Sequence, residues 1–505
     1  MSSQTSKKLN LDIHGNSYKP NIIMSIILLA TFAGALMQTS LGTALPTLMK
    51  DFDIDFSTAQ QATTWFLLAN GIMVPLSAYL ATRISTKWLH VGAYGTLLLG
   101  LVLTAIAPSQ HEGWTIFLAG RIITAIAVGL MMPLMQIIII NMFPVDKRGT
   151  AMGLSGLAVG LAPAMGPTFA GWILDKDHVL LGLTITDSWR NIFVLPIIIV
   201  AIAFVLSFFF MKDVIPNRQI KLDIYSLILS TIGFGLFLWG FSNVSSEGWD
   251  SLSYVISPIA ISVIVLSIFV VRQLKSKDPF LDLRVFKSKG FTIATIGLIV
   301  VTMAMYGVEM MLPTYLQNIH GFSPFESGLT LLAGALMLGF ISPISGALYN
   351  KVGIKRLAFV GFSILTLASI PFGFLTDSTS PTLILVLYAI RMFGVAILLM
   401  PLTTNAMDAL TVEKGTHGTA VNNTARQVAS SIAVALLTSV TQNIINNHVP
   451  STSLKHTNPL DYIAQAQQAS VDGFNTAFII GIFFAIVGVL IVPFLKMNTT
   501  ESEEK

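Results

Sequence analysis

The chain has 505 residues, of which 53% are hydrophobic and only 11% charged, whereas a soluble globular domain carries about 25% charged residues. That balance excludes an ordinary soluble enzyme and describes a polytopic membrane protein. Cysteine is absent, which removes disulfides and thiolate metal sites. The net charge of +4 sits in short loops and forms no basic stripe for nucleic acid.

Met1–Pro20 is a polar leader carrying Lys7, Lys8 and Lys19. No small-residue cleavage site follows a short apolar core, so the first span is expected to remain in the mature protein. Apolar runs of about 20 residues then predict fourteen spans, at 22–46, 60–82, 88–107, 114–143, 149–173, 190–211, 223–242, 253–271, 290–316, 325–348, 355–375, 382–407, 418–441 and 473–495. With the N-terminus cytoplasmic, the outside segments hold Lys50, Lys176, Arg190 and Lys455 alone among the Lys and Arg residues outside the spans. The positive-inside rule therefore places both termini in the cytoplasm. The longest outside segment, Gln442–Gly473, is polar and is expected to carry a short surface helix at Leu460–Ala469.

The fifth span is the most distinctive. Gly149, Gly153, Gly156, Gly160, Ala164 and Gly171 recur at helical spacing, so another helix can approach this face to backbone contact. Pro163 and Pro167 leave the carbonyls of Val159 and Pro163 without helical donors, predicting a bend. Those carbonyls need partners inside a bundle, away from lipid.

An internal repeat runs through the chain. Pro75–Lys87 pairs with Pro343–Lys355, and Met132-Pro133-Leu134 with Met400-Pro401-Leu402, both at an offset of 268 residues. Leu45-Pro46-Thr47 pairs with Leu312-Pro313-Thr314 at 267, and Arg121 with Arg391 at 270. The expected organisation is a leader at 1–21, a six-helix half at 22–211, two inserted spans with a flanking loop at 212–272, a second six-helix half at 273–496 and a tail at 497–505. Parallel six-span halves with substrate held between them describe one transporter architecture, in which rocking of the halves gives alternating access.

With these features the chain resembles the major facilitator superfamily, and within it the fourteen-span drug:proton antiporter family, over nearly its whole length. Ala162–Gly171, containing Pro163, Gly166, Pro167 and Gly171, is similar to the fifth-helix antiporter motif. Leu118-Ala119-Gly120-Arg121, followed by Ala125 and Gly129, is similar to the fourth-helix motif with its embedded arginine. Leu80–Arg83 with Lys87 resembles the loop motif after span two, repeated by Gly346, Lys351, Gly353 and Lys355. Thr82 and Asn350 stand where that motif usually has an acid, Met37 where drug antiporters often carry a span-one acid, and Thr124 and Ala125 where the fourth-helix motif commonly has glutamine and glycine. The resemblance implies an all-α fold of fourteen transmembrane helices, two six-helix parallel-repeat halves plus two extra central spans.

Ionisable side chains deep in a span are costly and mark candidate sites. They are Arg121, Glu309, Arg391 and Arg426. Glu309 is the only carboxylate well inside a predicted span, and a carboxylate in low dielectric takes up a proton more readily. It is the first candidate for the proton carrier, although it lies near Pro313 toward the outer end of its span, where water can reach it and an outer-gate or ion-pair role is the alternative. Arg121 remains charged, and the resemblance implies that it answers a protonatable group or substrate; a structural bond to neighbouring carbonyls is the alternative. Arg391 is its counterpart, and Arg426 is expected to snorkel. Gln38, Asn70, Gln136 and Tyr306, with Met37, Met131, Met135 and Met310, lie on the cavity-forming spans of the resembled fold; methionine suits varied apolar ligands but equally fills packing gaps. Arg83, Lys87, Lys351 and Lys355 fit either an inner latch or simple topology. His90 and His417, near span ends, are expected to be solvated.

The predicted function is proton-coupled export of amphipathic drugs or toxic compounds across a bacterial plasma membrane, by a monomer embedded in lipid with protons and small molecules as partners. A dedicated exporter or flippase for one endogenous metabolite or lipid-linked molecule is the alternative within transport, and a non-transporting sensor or scaffold the alternative outside it. No enzymatic activity, cofactor or metal is expected, since no glycine loop, metal cluster or nucleophile constellation has the required spacing.

Overall fold

The computed structural model describes residues 12–143, 151, 162, 165–180, 183–215, 223–276, 279 and 281–496. Spans in lipid must satisfy their backbone internally, so helices dominate. Among the described residues, twelve helices are long and apolar enough to cross a bilayer. Two more belong to the same bundle: α3 (Phe56–Arg83) and α6 (165–175), the described part of the fifth expected span. Fourteen spans are compatible with this arrangement.

The first group contains α1 (Pro20–Thr39), the short α2 (Leu45–Phe52), α3, α4 (Thr86–Ala105), α5 (Gly113–Met142), α6 and α7 (Asn191–Phe210). The first expected span is broken: α1 ends at Thr39, Ser40–Gly42 makes a tighter turn, and Pro46 stands in the opening turn of α2. The second group contains α11 (Lys289–His320), α12 (Pro324–Val352), α13 (Ile354–Ser369), α14 (Pro381–Asp408), α15 (Val412–His448), the short α16 (Thr452–Thr457) and α17 (Pro459–Ile491). Polar caps set several starts: Asp55 accepts from Thr58 N before α3, and Ser323 and Glu326 form a reciprocal capping box at α12. Gly353 joins α12 to α13 at φ 82°, a left-handed conformation that favours glycine.

Each group has its own apolar core. One is assembled from residues between Ile26 and Ala203. The other lies between Leu281 and Leu495, with Leu45, Phe56, Ala59 and Phe269 reaching into it. The same helix pair is drawn together by glycine in both. A Cβ on Gly100 of α4 would lie 2.5 Å from Thr124 N of α5, and one on Gly394 of α14 would lie 2.8 Å from Leu365 N of α13. Small residues permit this backbone approach.

Between the groups, α8 (Ile224–Ser242), the single-turn α9 (Val244–Glu247) and α10 (Ser257–Lys275) form the inserted hairpin. Asp223 caps α8 and receives Arg272 Nη2 of α10 at 2.8 Å, while Gln273 Nε2 donates to Ser226 Oγ and Leu281 N donates to Gln273 Oε1. The hairpin leans on α3 and α15 through α8.

One expectation is corrected. The surface helix at Leu460–Ala469 is the opening of α17, which starts at Pro459 under an Asn458 cap. Its Ala- and Gln-rich sequence keeps helical propensity after apolarity has gone. Within the all-α fold, the loop before α7 carries one small hairpin, in which His178–Leu180 and Leu183–Ile185 pair as two short antiparallel strands, β1 and β2.

Candidate transport site

The two buried arginines are joined to the bundle in the same way. Arg121 on α5 donates through Nη1 to Met37 O on α1 at 2.9 Å, and its guanidinium lies 4.3 Å from the centre of the Phe66 ring, a cation–π geometry. Arg391 on α14 donates through Nη2 to Ala304 O on α11 and through Nε to Ser369 Oγ at 3.0 Å. Met37 and Ala304 are themselves separated by 267 residues, so repeat-related arginines hold repeat-related carbonyls. Both arginines are fully buried, and neither is among the residues lining the central cavity.

That cavity, of about 350 Å³, lies between the groups and takes its walls from α1, α3, α5, α11, α12, α14 and α15. Glu309, Gln38, Asn70, Gln136, Tyr306 and Met135 line it. Gln38 Nε2 donates to Tyr306 Oη at 3.2 Å, a bond between the halves inside the site. Glu309 Oε2 and Asn70 Nδ2 are buried without hydrogen-bond partners among the described residues. Larger voids of about 720 and 580 Å³ flank the inserted hairpin, the first beside Arg272 and Lys275 at the end of α10 and the second walled mostly by apolar side chains, so the central cavity is the place where polar groups of both halves converge.

Several sequence expectations change here. Met37, Met131 and Met310 are buried in packing and do not line the cavity; Met310 offers only its backbone, whose carbonyl accepts from Gln60 Nε2 at 3.0 Å. The resemblance placed them on cavity-forming helices, but they stand on faces turned into the packing. Arg426 does not snorkel: it lines the cavity, and its buried Nε has no partner among the described residues. Asn423, Gln427 and Ser430 line it too. With Arg426 they form a polar stripe at helical spacing in an apolar span, a signal available in the sequence. His90 is buried rather than solvated, with Nδ1 at 2.8 Å from Thr86 O and its ring edge-on to Tyr94. His417 is exposed.

The Gly/Pro motif meets the other half at the end of the bundle remote from the start of α1. Pro163 lies outside the described residues, as does most of the glycine-spaced segment before it. Gly166 faces α1, where a Cβ would lie 2.5 Å from Thr39 Oγ1. Pro167 O accepts from Thr43 Oγ1 at 2.9 Å. Gly171 crosses to α12, where a Cβ would lie 2.3 Å from Pro324 O. Gly328 of α12 returns the contact, its Cβ position being 2.8 Å from Pro167 O, and Thr168 Oγ1 donates to Gly328 O at 3.0 Å. Gln317 Nε2 completes the seam by donating to Thr43 O at 2.9 Å and Ser327 Oγ at 3.0 Å. The bundle is closed at this remote end.

At the opposite end lie the basic loop residues. Arg83 Nη1 donates to Tyr79 Oη at 2.8 Å, Lys87 Nζ lies 5.8 Å from the Trp88 ring centre, and Lys87 N donates to Asp213 Oδ1 at 2.9 Å. Gly346 faces Met400, and Lys351 and Lys355 are exposed. Sequence reasoning missed the tie beside them: Asn405 Nδ2 donates to Tyr349 Oη and to Lys496 O, and Tyr349 Oη donates to Asp408 Oδ2.

Paired helical halves around a central polar cavity define a multi-pass membrane transporter. Residues 27–434 match the Major Facilitator Superfamily, and the chain belongs to it. It is 40% identical over 497 residues to the uncharacterized MFS-type transporter YcnB of Bacillus subtilis (strain 168), covering 98% of this chain and 99% of that protein. It is 37% identical over 481 residues to the lincomycin resistance protein LmrB of the same organism, covering 95% and 96%. A solved bacterial homologue of the human lysosomal transporter Spinster, in an inward-facing and occupied conformation, shares the fold with a TM-score of 0.65 at 14% identity, covering 94% of this chain and 97% of that one.

Proposed function

We propose that this transporter is a proton-coupled exporter of amphipathic compounds, working by alternating access in a bacterial plasma membrane with both termini cytoplasmic. The observation that carries the reading is Glu309: a carboxylate in the wall of the central cavity, with a buried, unpartnered oxygen. A proton is the smallest partner that satisfies it, and the cavity gives substrate access to the same place. Arg121 and Arg391 support the α1–α5 and α11–α14 joints behind it. In the proposed orientation the seam through Gly171 and Gly328 closes the outer side, so the cavity serves the inner one. Similarity to a lincomycin resistance protein supports drug export as the substrate class.

The energetics are adequate. One proton entering down about 150 mV supplies roughly 3.5 kcal/mol, equivalent to several-hundred-fold accumulation. The test is drug efflux by everted vesicles, read as collapse of a pH gradient. Glu309→Gln is expected to abolish the proton signal while membrane abundance stays at the wild-type level; an undiminished signal moves coupling to another residue.

A further inference from the structure

Only two charged side chains, Glu309 and Arg426, line the central cavity among the described residues. They are not an ion pair: the ion pairs among the described residues are His14–Asp213, Arg272–Asp223 and Arg284–Asp282. Both bring unsatisfied polarity to the cavity wall, since Glu309 Oε2 and Arg426 Nε are buried without partners among the described residues. A buried donor left unmade costs free energy, which a ligand acceptor recovers.

The charge arithmetic restricts what can enter. With Glu309 ionised, the two charges cancel; with Glu309 protonated, Arg426 leaves the wall positive. In neither state is the cavity net negative. A permanent lipophilic cation would have to shed water beside an unpaired guanidinium, with no surplus anion to compensate. A compound offering carbonyl, hydroxyl or carboxylate oxygens meets the opposite situation. The guanidinium donates to it, and the amides of Asn70, Asn423 and Gln427 supply further bonds across the same wall.

We infer that the cavity selects neutral, zwitterionic or acidic amphipathic compounds rich in hydrogen-bond acceptors, that it rejects permanent lipophilic cations, and that Arg426 sets this choice. The inference rests on the export reading and names its substrate class. Arg426 binds substrate in this scheme, while proton transfer stays with Glu309.

The probes are chloramphenicol, which is neutral and carries hydroxyl and amide groups, and ethidium, a permanent cation. In everted vesicles the wild-type protein should move chloramphenicol at least ten times faster than ethidium. Arg426→Gln should raise the chloramphenicol KM about tenfold, the effect of losing one charge-assisted bond. Arg426→Lys, which keeps the charge, should recover part of that loss. Arg426→Glu should admit ethidium, a gain that misfolding cannot mimic. Equal wild-type transport of both probes, or an unchanged KM in Arg426→Gln, overturns the inference and leaves export intact. If neither probe moves, binding to the purified full-length protein separates the two ideas by tryptophan quenching. Chloramphenicol binding that weakens in Arg426→Gln sustains the selectivity and overturns export, and absence of chloramphenicol binding overturns the selectivity.

Discussion

At the residue scale, the embedded arginines divide by what they touch. Arg391 donates to Ala304 O and Ser369 Oγ from a fully buried position outside the cavity, with its Nη1 left without a partner among the described residues, whereas Arg426 stands in the cavity wall with its buried Nε unpartnered and no such bond to a neighbouring helix. Hydrogen bonds from a charged group are each worth about 1.5–3 kcal/mol, so Arg391→Met should lower folding stability by about 2 kcal/mol or more. Arg426→Met removes no such bond and should leave the thermal midpoint near the wild-type value while altering transport. Thermal unfolding in detergent, read beside efflux, separates the two; equal midpoints in both variants would contradict the division. Sequence hydropathy identified all three arginines because a charge in an apolar run is conspicuous. It set Arg426 apart only as a snorkelling side chain and missed the distinction observed, because that distinction lies in which neighbour presents a carbonyl. Met37 and Met310 failed for a related reason: a helix has two faces, and apolarity in a membrane helix does not say which one is wet.

At the scale of elements, the contact between α6 and α12 is the sharpest constraint. A side chain on Gly171 meets the Pro324 carbonyl at 2.3 Å, and one on Gly328 meets Pro167 O at 2.8 Å. Backbone atoms cannot swing aside as a flexible side chain can, so Gly171→Val and Gly328→Val should each hold the halves apart at this end. The expected outcome is at least a tenfold loss of transport, with membrane abundance and cavity binding retained. Loss of abundance in parallel would return the contact to ordinary packing. The small-residue face of α6 was readable from its spacing, but its partner was not, because Gly328 belongs to no repeating pattern. The inserted hairpin gives a milder, pH-dependent case. Burial would raise the Asp223 carboxyl, but hydrogen bonds from Arg272 and Ser226 outweigh that and hold it below the ordinary carboxylate range. Its stabilisation is therefore complete above the ordinary value and declines as pH falls through the depressed one. With Arg272 half exposed, solvent screening keeps the pair's contribution small. Asp223→Asn should lower the midpoint slightly at neutral pH and not at all in strong acid, and a deficit independent of pH would point to packing instead.

At the scale of the whole molecule, the duplicated halves were legible because covalent sequence retains their offset: Arg121 and Arg391, with Met37 and Ala304, keep the same partners across it. Which end of the bundle is closed was not legible, since a single sequence serves every state of a transport cycle and the closed end is a property of one packing. The seam itself provides the test. Thr43 in the first half and Ser327 in the second are bonded by the same amide nitrogen of Gln317, at 2.9 and 3.0 Å. The chain has no cysteine, so Thr43→Cys with Ser327→Cys introduces the only thiols. A short thiol cross-linker should join them, hold the remote end shut and stop transport, while a reducing agent that cleaves the linker restores it. Each single variant treated with the same reagent should keep transporting, which separates the bridge from chemical damage. Rocking of two rigid halves requires this seam to part in every cycle; full transport by the bridged protein would therefore rule out that motion here.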